Sequence, residues 1–273
     1  MTTDTTGTDP NAPAEGSTRA EGSTPAEGST PAGDSAPGGG PLAGHSVLVA
    51  GASGGLGSEI ARRLAAAGAV LTLTGRSRGG LEALGLDATT VEADLRGADG
   101  AATAVQAAVT GHGGLDGVVF AAGVVAFGPA GDVTDEVLRE LFDITVFAPV
   151  RLFRAALPAL TESAGAGRQP FVANISAVTA EAPTAGMAVY SAAKAALTAF
   201  DNAVSREVRS AGIRVLDIRP PHTETGLASR PIAGRAPRLP AGHSPCAVAD
   251  RIVAAITGGD RDLPATAFGS ARA

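Results

Sequence analysis

A glycine-rich stretch, Gly51–Gly57, joins two segments of different hydrophobic pattern and constrains the fold more than any other part of the chain. The residues before it, His45–Ala50, form a short apolar run that is typical of a buried strand. After it, Leu56, Ile60 and Leu64 recur at helical spacing. The glycines follow the pattern G-x-x-x-G-x-G. A strand, a glycine-rich turn and a helix in this order predict a turn whose backbone can approach a pyrophosphate at the helix N-terminus.

The rest of the chain alternates short apolar runs with segments of helical period, which predicts strands alternating with helices. The predicted strands are Ala69–Thr74, Thr90–Ala93, Asp116–Ala121, Pro170–Ser176 and Ile213–Ile218, with a short edge strand at Leu263–Phe268. The predicted helices are Ala98–Thr110, Gly186–Ser210, Val248–Ile256 and a long helix that Thr134 caps and that bends near Pro149 on its way to Leu160. This alternation predicts an α/β fold: a Rossmann-like, doubly wound parallel sheet in three layers, forming a single domain.

The first forty residues differ in composition from the rest. The sequence Ala-Glu-Gly-Ser-Thr occurs three times there, beginning at Ala14, Ala20 and Ala26. Such a segment has little apolar surface to offset the entropy of ordering it. We therefore expect residues 1–40 to be a disordered low-complexity tail that contributes neither to folding nor to activity, and residues 41–273 to form the domain. The tail lacks the charged start and apolar run of a signal peptide.

Charge and cysteine content restrict the partners. The net charge is −6 and the basic residues form no cluster, which argues against nucleic acid and anionic membrane as partners. No uninterrupted apolar run is long enough to predict a membrane span. The single cysteine, Cys246, allows no internal disulfide, which favours a reducing cytoplasm, and we expect it to be a small buried filler or a residue at a helix start. No residues have metal-ligand spacing, so no metal is expected.

The only tyrosine and the only lysine of the chain, Tyr190 and Lys194, stand four residues apart. Their neighbours are mostly alanines, so the two side chains should lie on one face of a helix. A phenol has a pKa near 10, and a nearby ammonium favours the phenolate. The pair is therefore predicted to form a general acid/base in which Lys194 lowers the pKa of Tyr190.

The predicted second strand ends in Gly75-Arg76. In dinucleotide-binding folds this strand end meets the adenosine ribose, where a carboxylate binds a 2′-hydroxyl and an arginine accommodates a 2′-phosphate. Gly75 leaves space and Arg76 supplies a positive charge. The sequence therefore predicts that NADP(H) is preferred over NAD(H).

Residues 42–268 resemble the short-chain dehydrogenase/reductase family. Gly51, Gly55 and Gly57 match its glycine-rich turn, Asp94 matches the acidic residue placed against adenine, and Tyr190 and Lys194 match its Y-x-x-x-K motif. The resemblance implies that Tyr190 and Lys194 are catalytic, and we expect Ser176, the nearest hydroxyl to the family's serine position, as the third catalytic residue. The cofactor-binding residues that we expect are Gly51, Ser53, Gly55, Leu56, Gly57, Arg76, Asp94, Leu95, Ala122, Gly123, Tyr190, Lys194, Pro220, Thr223 and Thr225.

Several positions depart from the family pattern. Ala177 stands where the family has its catalytic serine, thirteen residues before the tyrosine, and the nearest hydroxyls are those of Ser176 and Thr179. The family's asparagine in the long helix falls at or next to Thr145. Two further motif residues, an asparagine and a glycine, are replaced by Ala121 and Pro221. His222 lies on a loop that should border the cofactor, so it could face substrate or be a solvated loop residue.

The resemblance implies hydride transfer between a nicotinamide and a small carbonyl or alcohol substrate, with Tyr190 exchanging the proton. It also implies a cytoplasmic homodimer or homotetramer. The departures keep two alternatives open. One is a binding or regulatory protein that retains the nucleotide site with reduced or lost turnover, and the other is an epimerase or dehydratase of the same type. The loop Gly226–Ser244, which should shape the substrate pocket, carries no recognisable chemistry.

Overall fold

A single sheet of seven parallel strands forms the centre of the protein in a computed structural model, which describes residues 39–270. The strands are β1 (Ser46–Ala50), β2 (Val70–Gly75), β3 (Ala88–Glu92), β4 (Gly117–Phe120), β5 (Phe171–Ile175), β6 (Arg214–Ile218) and β7 (Asp262–Leu263). Their order across the sheet is β3-β2-β1-β4-β5-β6-β7. The predicted tail, apart from Gly39 and Gly40, lies outside the described residues.

Helices cover both faces of this sheet. They are α1 (Gly55–Ala66), α2 (Arg78–Glu82), α3 (Gly100–His112), α4 (Asp135–Phe142), α5 (Ala148–Gly165), α6 (Ala188–Glu207) and α7 (Pro245–Gly258). Side chains of β1 alternate between the two cores: Val47 and Val49 pack in the core with α1 and α7, and Leu48 and Ala50 pack in the core with α3 and α5. The structure confirms the three-layered, doubly wound parallel fold.

The long helix is interrupted by a π-helical turn at Asp143–Phe147, between α4 and α5. Thr134 caps α4 as predicted, since its Oγ1 accepts a hydrogen bond from the Val137 amide at 3.4 Å. Pro149 lies two residues after this turn, inside the continuous helical run, where it has no N–H to donate to a carbonyl of the preceding turn. The irregularity predicted near Pro149 is therefore this π-helical turn.

The helical run from α4 to α5, residues 135–165, is long and apolar enough to cross a membrane by length and composition alone. Its side chains Leu141, Leu152 and Leu160 are fully buried within the described domain. Leu152 and Leu160 belong to the core that the run shares with the sheet and α3. The run is packed in this structure as a core helix.

The far edge of the sheet differs most from the sequence-based prediction. Only Asp262–Leu263 pairs with β6, and Ala265–Phe268 forms a 3₁₀ turn where the rest of the strand was predicted. Pro264 stands between them and has no N–H to continue the ladder. The short helix α2 was not predicted from the sequence.

All strands run in one direction, so their carboxyl ends lie at the same edge of the sheet. The glycine-rich turn follows β1, and the segments after β4, β5 and β6 begin at Ala121, Ser176 and Arg219. The chain changes direction across the sheet between β1 and β4, which is where ligands bind in open α/β sheets.

Candidate functional site

A cavity of about 650 Å³ opens at this edge of the sheet. It brings together most of the residues that the sequence predicts for the site: Gly51, Ser53, Gly55, Leu56, Arg76, Asp94, Leu95, Ala122, Gly123, Ser176, Tyr190, Lys194, Pro220, Thr223 and Thr225. Gly57 is the exception. It is buried in the first turn of α1, where a Cβ would overlap the carbonyl oxygen of Gly51, so its role is backbone packing.

The glycines of the turn allow three backbone segments to meet. Gly51 has φ +77°, and a Cβ there would lie 2.6 Å from the Ala122 amide nitrogen after β4. A Cβ on Gly55 would lie 2.8 Å from Cβ of Thr225, on the loop after β6. Side chains at these positions would separate the segments that form the cavity wall.

The amino end of α1 can receive an anion. Its N-cap, Gly54, supplies no side-chain hydrogen bond, and its first turn contains no acidic residue. Unpaired amides and the positive end of a helix dipole favour a phosphate at such a position. Gly54, Gly55 and Leu56 line the cavity at this point.

Two arginines and a carboxylate lie at the ends of β2 and β3. Arg96 donates to Asp94 through Nε at 3.0 Å to Oδ1 and through Nη2 at 2.7 Å to Oδ2. These hydrogen bonds hold the pKa of Asp94 below its usual value. Arg76 also lines the cavity and is exposed, and no carboxylate in the described part of the chain ion-pairs with it. Its guanidinium is therefore available to an anionic ligand.

Tyr190 and Lys194 lie one turn apart on α6, and both line the cavity. Lys194 Nζ donates a hydrogen bond to the Ile175 carbonyl oxygen at the end of β5, at 2.8 Å. The same nitrogen lies 5.9 Å from the centre of the Tyr190 ring. The helix thus holds both groups at the carboxyl edge of the sheet.

The pKa values of this pair differ from the prediction. Burial raises the pKa of Tyr190 to about 12, so in this arrangement Lys194 does not lower it. Burial also lowers the pKa of Lys194 to about 8, against the opposing effect of the Asp217 and Asp201 carboxylates. At neutral pH Tyr190 is a phenol and Lys194 is mostly an ammonium.

A buried polar network lies behind Lys194. Asp217 on β6 pairs with Arg219, which also pairs with Glu181 and Asp262. Thr198 Oγ1 lies 3.3 Å from Asp217 Oδ1. Burial raises the pKa of Asp217 despite its arginine.

The three positions near the missing serine differ in their hydrogen bonds. Ser176 is 3 % exposed, and its Oγ donates to the Lys194 carbonyl oxygen at 3.0 Å and lies 3.1 Å from Thr198 Oγ1. These bonds oppose the predicted role of Ser176 as a donor to substrate, because its one hydroxyl hydrogen is already used. Ala177 and Thr179 line the cavity, and Thr179 Oγ1 is buried without a hydrogen-bond partner among residues 39–270.

Thr145 does not reach the cavity wall. It lies in the π-helical turn, is 1 % exposed, and its Oγ1 is buried without a hydrogen-bond partner. Its neighbour Ile144 lines the cavity instead. The position of the family's asparagine is therefore occupied by a side chain that makes no polar contact within the described residues.

His222 and Cys246 have local partners. His222 lines the cavity, with Nε2 lying 3.3 Å from Glu224 Oε1. Cys246 is in the first turn of α7, as predicted, but it is exposed, and its Sγ donates to Glu59 Oε2 at 3.3 Å. The expectation of a buried filler was wrong, because the helix start faces outward.

No group of three or more His, Cys, Asp or Glu residues in the described ranges could hold a metal ion.

The wall near Tyr190 is apolar, and sequence reasoning missed it. The side chains that form it are Val125, Phe127, Met187, Leu227 and Ile232. Two of them belong to the loop after β6, where the sequence shows no motif or period. The only sequence signal was the apolar run after Gly123, Val124–Phe127.

Comparison with known proteins agrees with this architecture. The family model described as short chain dehydrogenase matches residues 45–234. The ketoacyl reductase HetN of Nostoc sp. is 30% identical over 223 residues, covering 79% of this chain and 76% of that protein. The human dehydrogenase/reductase SDR family member 4 is 31% identical over 196 residues, covering 69% of this chain and 69% of that protein.

Solved structures show the same fold. A metagenomic short-chain oxidoreductase in complex with NADP is 28% identical with a TM-score of 0.68, covering 82% of this chain and 97% of that one. A blue fluorescent protein from a metagenomic library, in complex with NADPH, is 27% identical with a TM-score of 0.71, covering 84% of this chain and 99% of that one.

Proposed function

Because the chain belongs to the short-chain dehydrogenase/reductase family of oxidoreductases, we propose that it interconverts a carbonyl compound and its alcohol with NADP(H). In this proposal Tyr190 is the general acid/base, assisted by Lys194. The observation that carries it is the meeting of the only tyrosine and the only lysine with the glycine-rich turn in one cavity. No other phenol in this sequence could exchange the proton.

The residues of the cavity fit a dinucleotide. The uncapped start of α1 would receive the pyrophosphate, and Gly123, where a Cβ would meet nothing within 4 Å, leaves open space on the opposite wall. Asp94 would lie against the adenine. When bound, the nicotinamide would supply or accept the hydride.

Arg76 supports the choice of NADP(H). It is exposed on the cavity wall without a carboxylate partner among the described residues, next to Gly75 at the end of β2. A guanidinium there would bind the 2′-phosphate of NADP(H) and would gain nothing from the 2′-hydroxyl of NAD(H). The relatives in complex with NADP and NADPH are consistent with this choice.

Tyr190 would act as an acid in the reducing direction. Its pKa of about 12 keeps the proton on Oη at neutral pH, which is the form that can donate to a developing alkoxide. Donation leaves a phenolate, which the ammonium of Lys194 one turn away would stabilise. Lys194 would therefore act when the proton leaves, while the resting site keeps Tyr190 neutral.

The apolar wall indicates a substrate with an apolar group beside its carbonyl. The apolar side chains Phe127, Met187 and Ile232 line the cavity and belong to the same apolar cluster as Tyr190. We propose a small carbonyl or alcohol compound as the partner, with neither nucleic acid nor membrane, in the cytoplasm.

We also propose a homodimer or homotetramer. Leu138 and Phe147, near the two ends of the bend between α4 and α5, are 40% and 47% exposed. A second copy packed against this helical run would bury both side chains. Sedimentation of the full chain would give its mass in solution.

The proposed reaction is tested by following NADPH absorbance with a panel of ketones and aldehydes. Turnover by the parent and its loss in Tyr190→Phe, with NADPH binding kept, are the expected results. NADPH binding without turnover in the parent would instead favour the regulatory alternative, for which Ala177 and Thr145 are the supporting features. An epimerase or dehydratase would change the substrate without net consumption of NADPH.

A further inference from the structure

The cavity wall has a methyl group where a hydrogen-bond donor to the substrate oxygen is expected. Ala177 occupies that place in the segment after β5. Removing one such donor from an enzyme lowers its rate by about 10²–10³-fold. A working reductase therefore needs a donor elsewhere in the cavity.

Three hydroxyl groups on the wall already donate to backbone carbonyl oxygens. Ser176 donates to the Lys194 carbonyl oxygen at 3.0 Å. Thr184 donates to the Ala182 carbonyl oxygen at 3.2 Å, and Thr223 donates to that of Pro221 at 2.9 Å. Each of these groups would have to break a protein hydrogen bond before it could donate to a ligand.

Thr179 is different. It lines the cavity and is 8% exposed, and its Oγ1 has no hydrogen-bond partner within the part of the chain that the structure describes. A buried hydroxyl without a partner is costly, so an acceptor atom brought by a ligand would be favoured there. The Oγ1 atom has almost no accessible surface in its present rotamer, so the hydroxyl reaches the cavity by rotation about χ1 to another staggered position, without movement of the backbone.

The backbone around Thr179 is fixed. It is the central residue of the 3₁₀ turn Val178–Ala180. The Val178 amide donates to the Pro220 carbonyl oxygen at 3.0 Å, and the Ala180 amide donates to that of Ala177 at 2.9 Å. These bonds fix the backbone position of Thr179, so only rotation about χ1 is needed to aim its hydroxyl at a bound substrate.

We propose that Thr179 donates the hydrogen bond to the substrate's carbonyl oxygen that Ala177 cannot make, and is thus a further catalytic residue. The proposal rests on the proposed reductase function. In the reducing direction the carbonyl oxygen accepts this bond while Tyr190 Oη gives it a proton, so no additional reactant is needed.

The test uses the full chain, NADPH and the best carbonyl substrate found in the panel. Thr179→Val keeps the shape and removes the hydroxyl, and it should lower kcat/KM by about 10²–10³-fold. Thr179→Ser keeps the hydroxyl and should retain most of the activity. Adding Ala177→Ser to Thr179→Val should restore part of the loss.

Thr72→Val is the matched control. Thr72 Oγ1 is likewise buried without a hydrogen-bond partner in the described part of the chain, but this residue lies in β2 and is not part of the cavity wall. The kcat/KM of Thr72→Val should equal that of the parent. A second measurement needs no turnover, since it uses the complex of the protein with oxidised NADP⁺. Thr179→Val should raise the Kd for ketone binding to this complex by roughly two- to tenfold.

The outcomes separate the two proposals. If Tyr190→Phe abolishes turnover while Thr179→Val retains the parent's kcat/KM and ketone affinity, Thr179 is not the donor and the reductase function stands. If the parent binds NADPH but reduces no carbonyl compound, both proposals are overturned.

Discussion

Asn174 on β5 donates a hydrogen bond from Nδ2 to Oδ1 of Asp201 on α6, over 2.6 Å, in the buried space between sheet and helix. Asp201 is 1% exposed, and its Oδ2 has no hydrogen-bond partner among the described residues. Burial, and then the nearby Asp217, raise the pKa of Asp201 well above its usual value. The carboxyl group therefore keeps its proton more tightly in the folded protein than in the unfolded chain.

The raised pKa of Asp201 predicts how the stability of the protein depends on pH. The unfolded chain releases the Asp201 proton near pH 4, and the folded protein holds it to higher pH, so this group's contribution to stability falls as pH rises through that interval. Asp201→Asn keeps an acceptor for Asn174 and removes the titration. Urea unfolding at pH 5 and pH 8 should therefore show a smaller loss of unfolding free energy in the variant. Equal losses of unfolding free energy in the parent and in Asp201→Asn would contradict the raised pKa of Asp201.

The buried carboxylate Asp217 should control the alkaline limit of activity. Lys194 has a pKa of about 8, which Asp217 helps to keep from falling further. Asp217→Asn removes that negative charge, so the ammonium should be lost at lower pH and kcat/KM should decline earlier on the alkaline side. Asp262→Asn is the control, because Asp262 also pairs with Arg219 but its side chain is 60% exposed. Identical profiles for both variants would show that Asp217 acts only on structure.

Cofactor preference should depend on Arg76. Arg76→Ala removes a charge-assisted hydrogen bond and should raise the Kd of NADPH about ten- to a hundredfold, with little change for NADH. The nearby Arg78 begins α2 and is not among the residues that line the cavity, so Arg78→Ala should leave both affinities unchanged. Calorimetric titration of the parent and both variants with each cofactor gives the six values. Tighter binding of NADH than NADPH by the parent would overturn the preference.

Gly57 should matter for stability. In Gly57→Ala the new Cβ meets the carbonyl oxygen of Gly51, so either the turn or α1 must shift. Forcing an extra methyl into packed structure typically costs about 1–3 kcal/mol, which predicts a lower Tm without cofactor. In α2, Gly79→Ala introduces a methyl that meets nothing within 4 Å, and its Tm should not fall. An unchanged Tm in Gly57→Ala would show that the turn accommodates the methyl group and would overturn the packing role of Gly57.

Parts of the fold with a strong local pattern were predictable from the sequence. The apolar run of β1, the glycine-rich turn and the helical spacing in α1 depend on neighbouring residues, and all three lie where they were predicted. The π-helical turn at Asp143–Phe147 was not predicted, since periodicity alone cannot distinguish one extra residue in a turn from a continuing helix. The edge strand was overestimated, because the pairing of β7 with β6 depends on tertiary contact and stops at Pro264.

The residues of the candidate site were likewise predictable only where they belong to a local sequence pattern. Tyr190, Lys194 and Arg76 belong to short motifs, and a motif fixes both residue type and spacing. The hydrogen bond of Ser176 could not be read from the sequence, because its acceptor is a backbone carbonyl eighteen positions away. The apolar wall includes residues of the loop Gly226–Ser244, whose path follows from packing rather than from any local pattern.

The proposed site carries the only strong spectroscopic and amine-reactive probes in the chain. The sequence contains no tryptophan, so its ultraviolet emission comes mainly from the single tyrosine, Tyr190. Apart from the N-terminal amine, Lys194 is the only primary amine that a lysine reagent can modify. Both side chains are buried, so quenchers and reagents reach them only through the cavity or by transient opening of the domain. A ligand in the cavity should therefore protect Tyr190 from quenchers and the Lys194 ε-amine from reagents. Its binding can be followed by either effect without an introduced label.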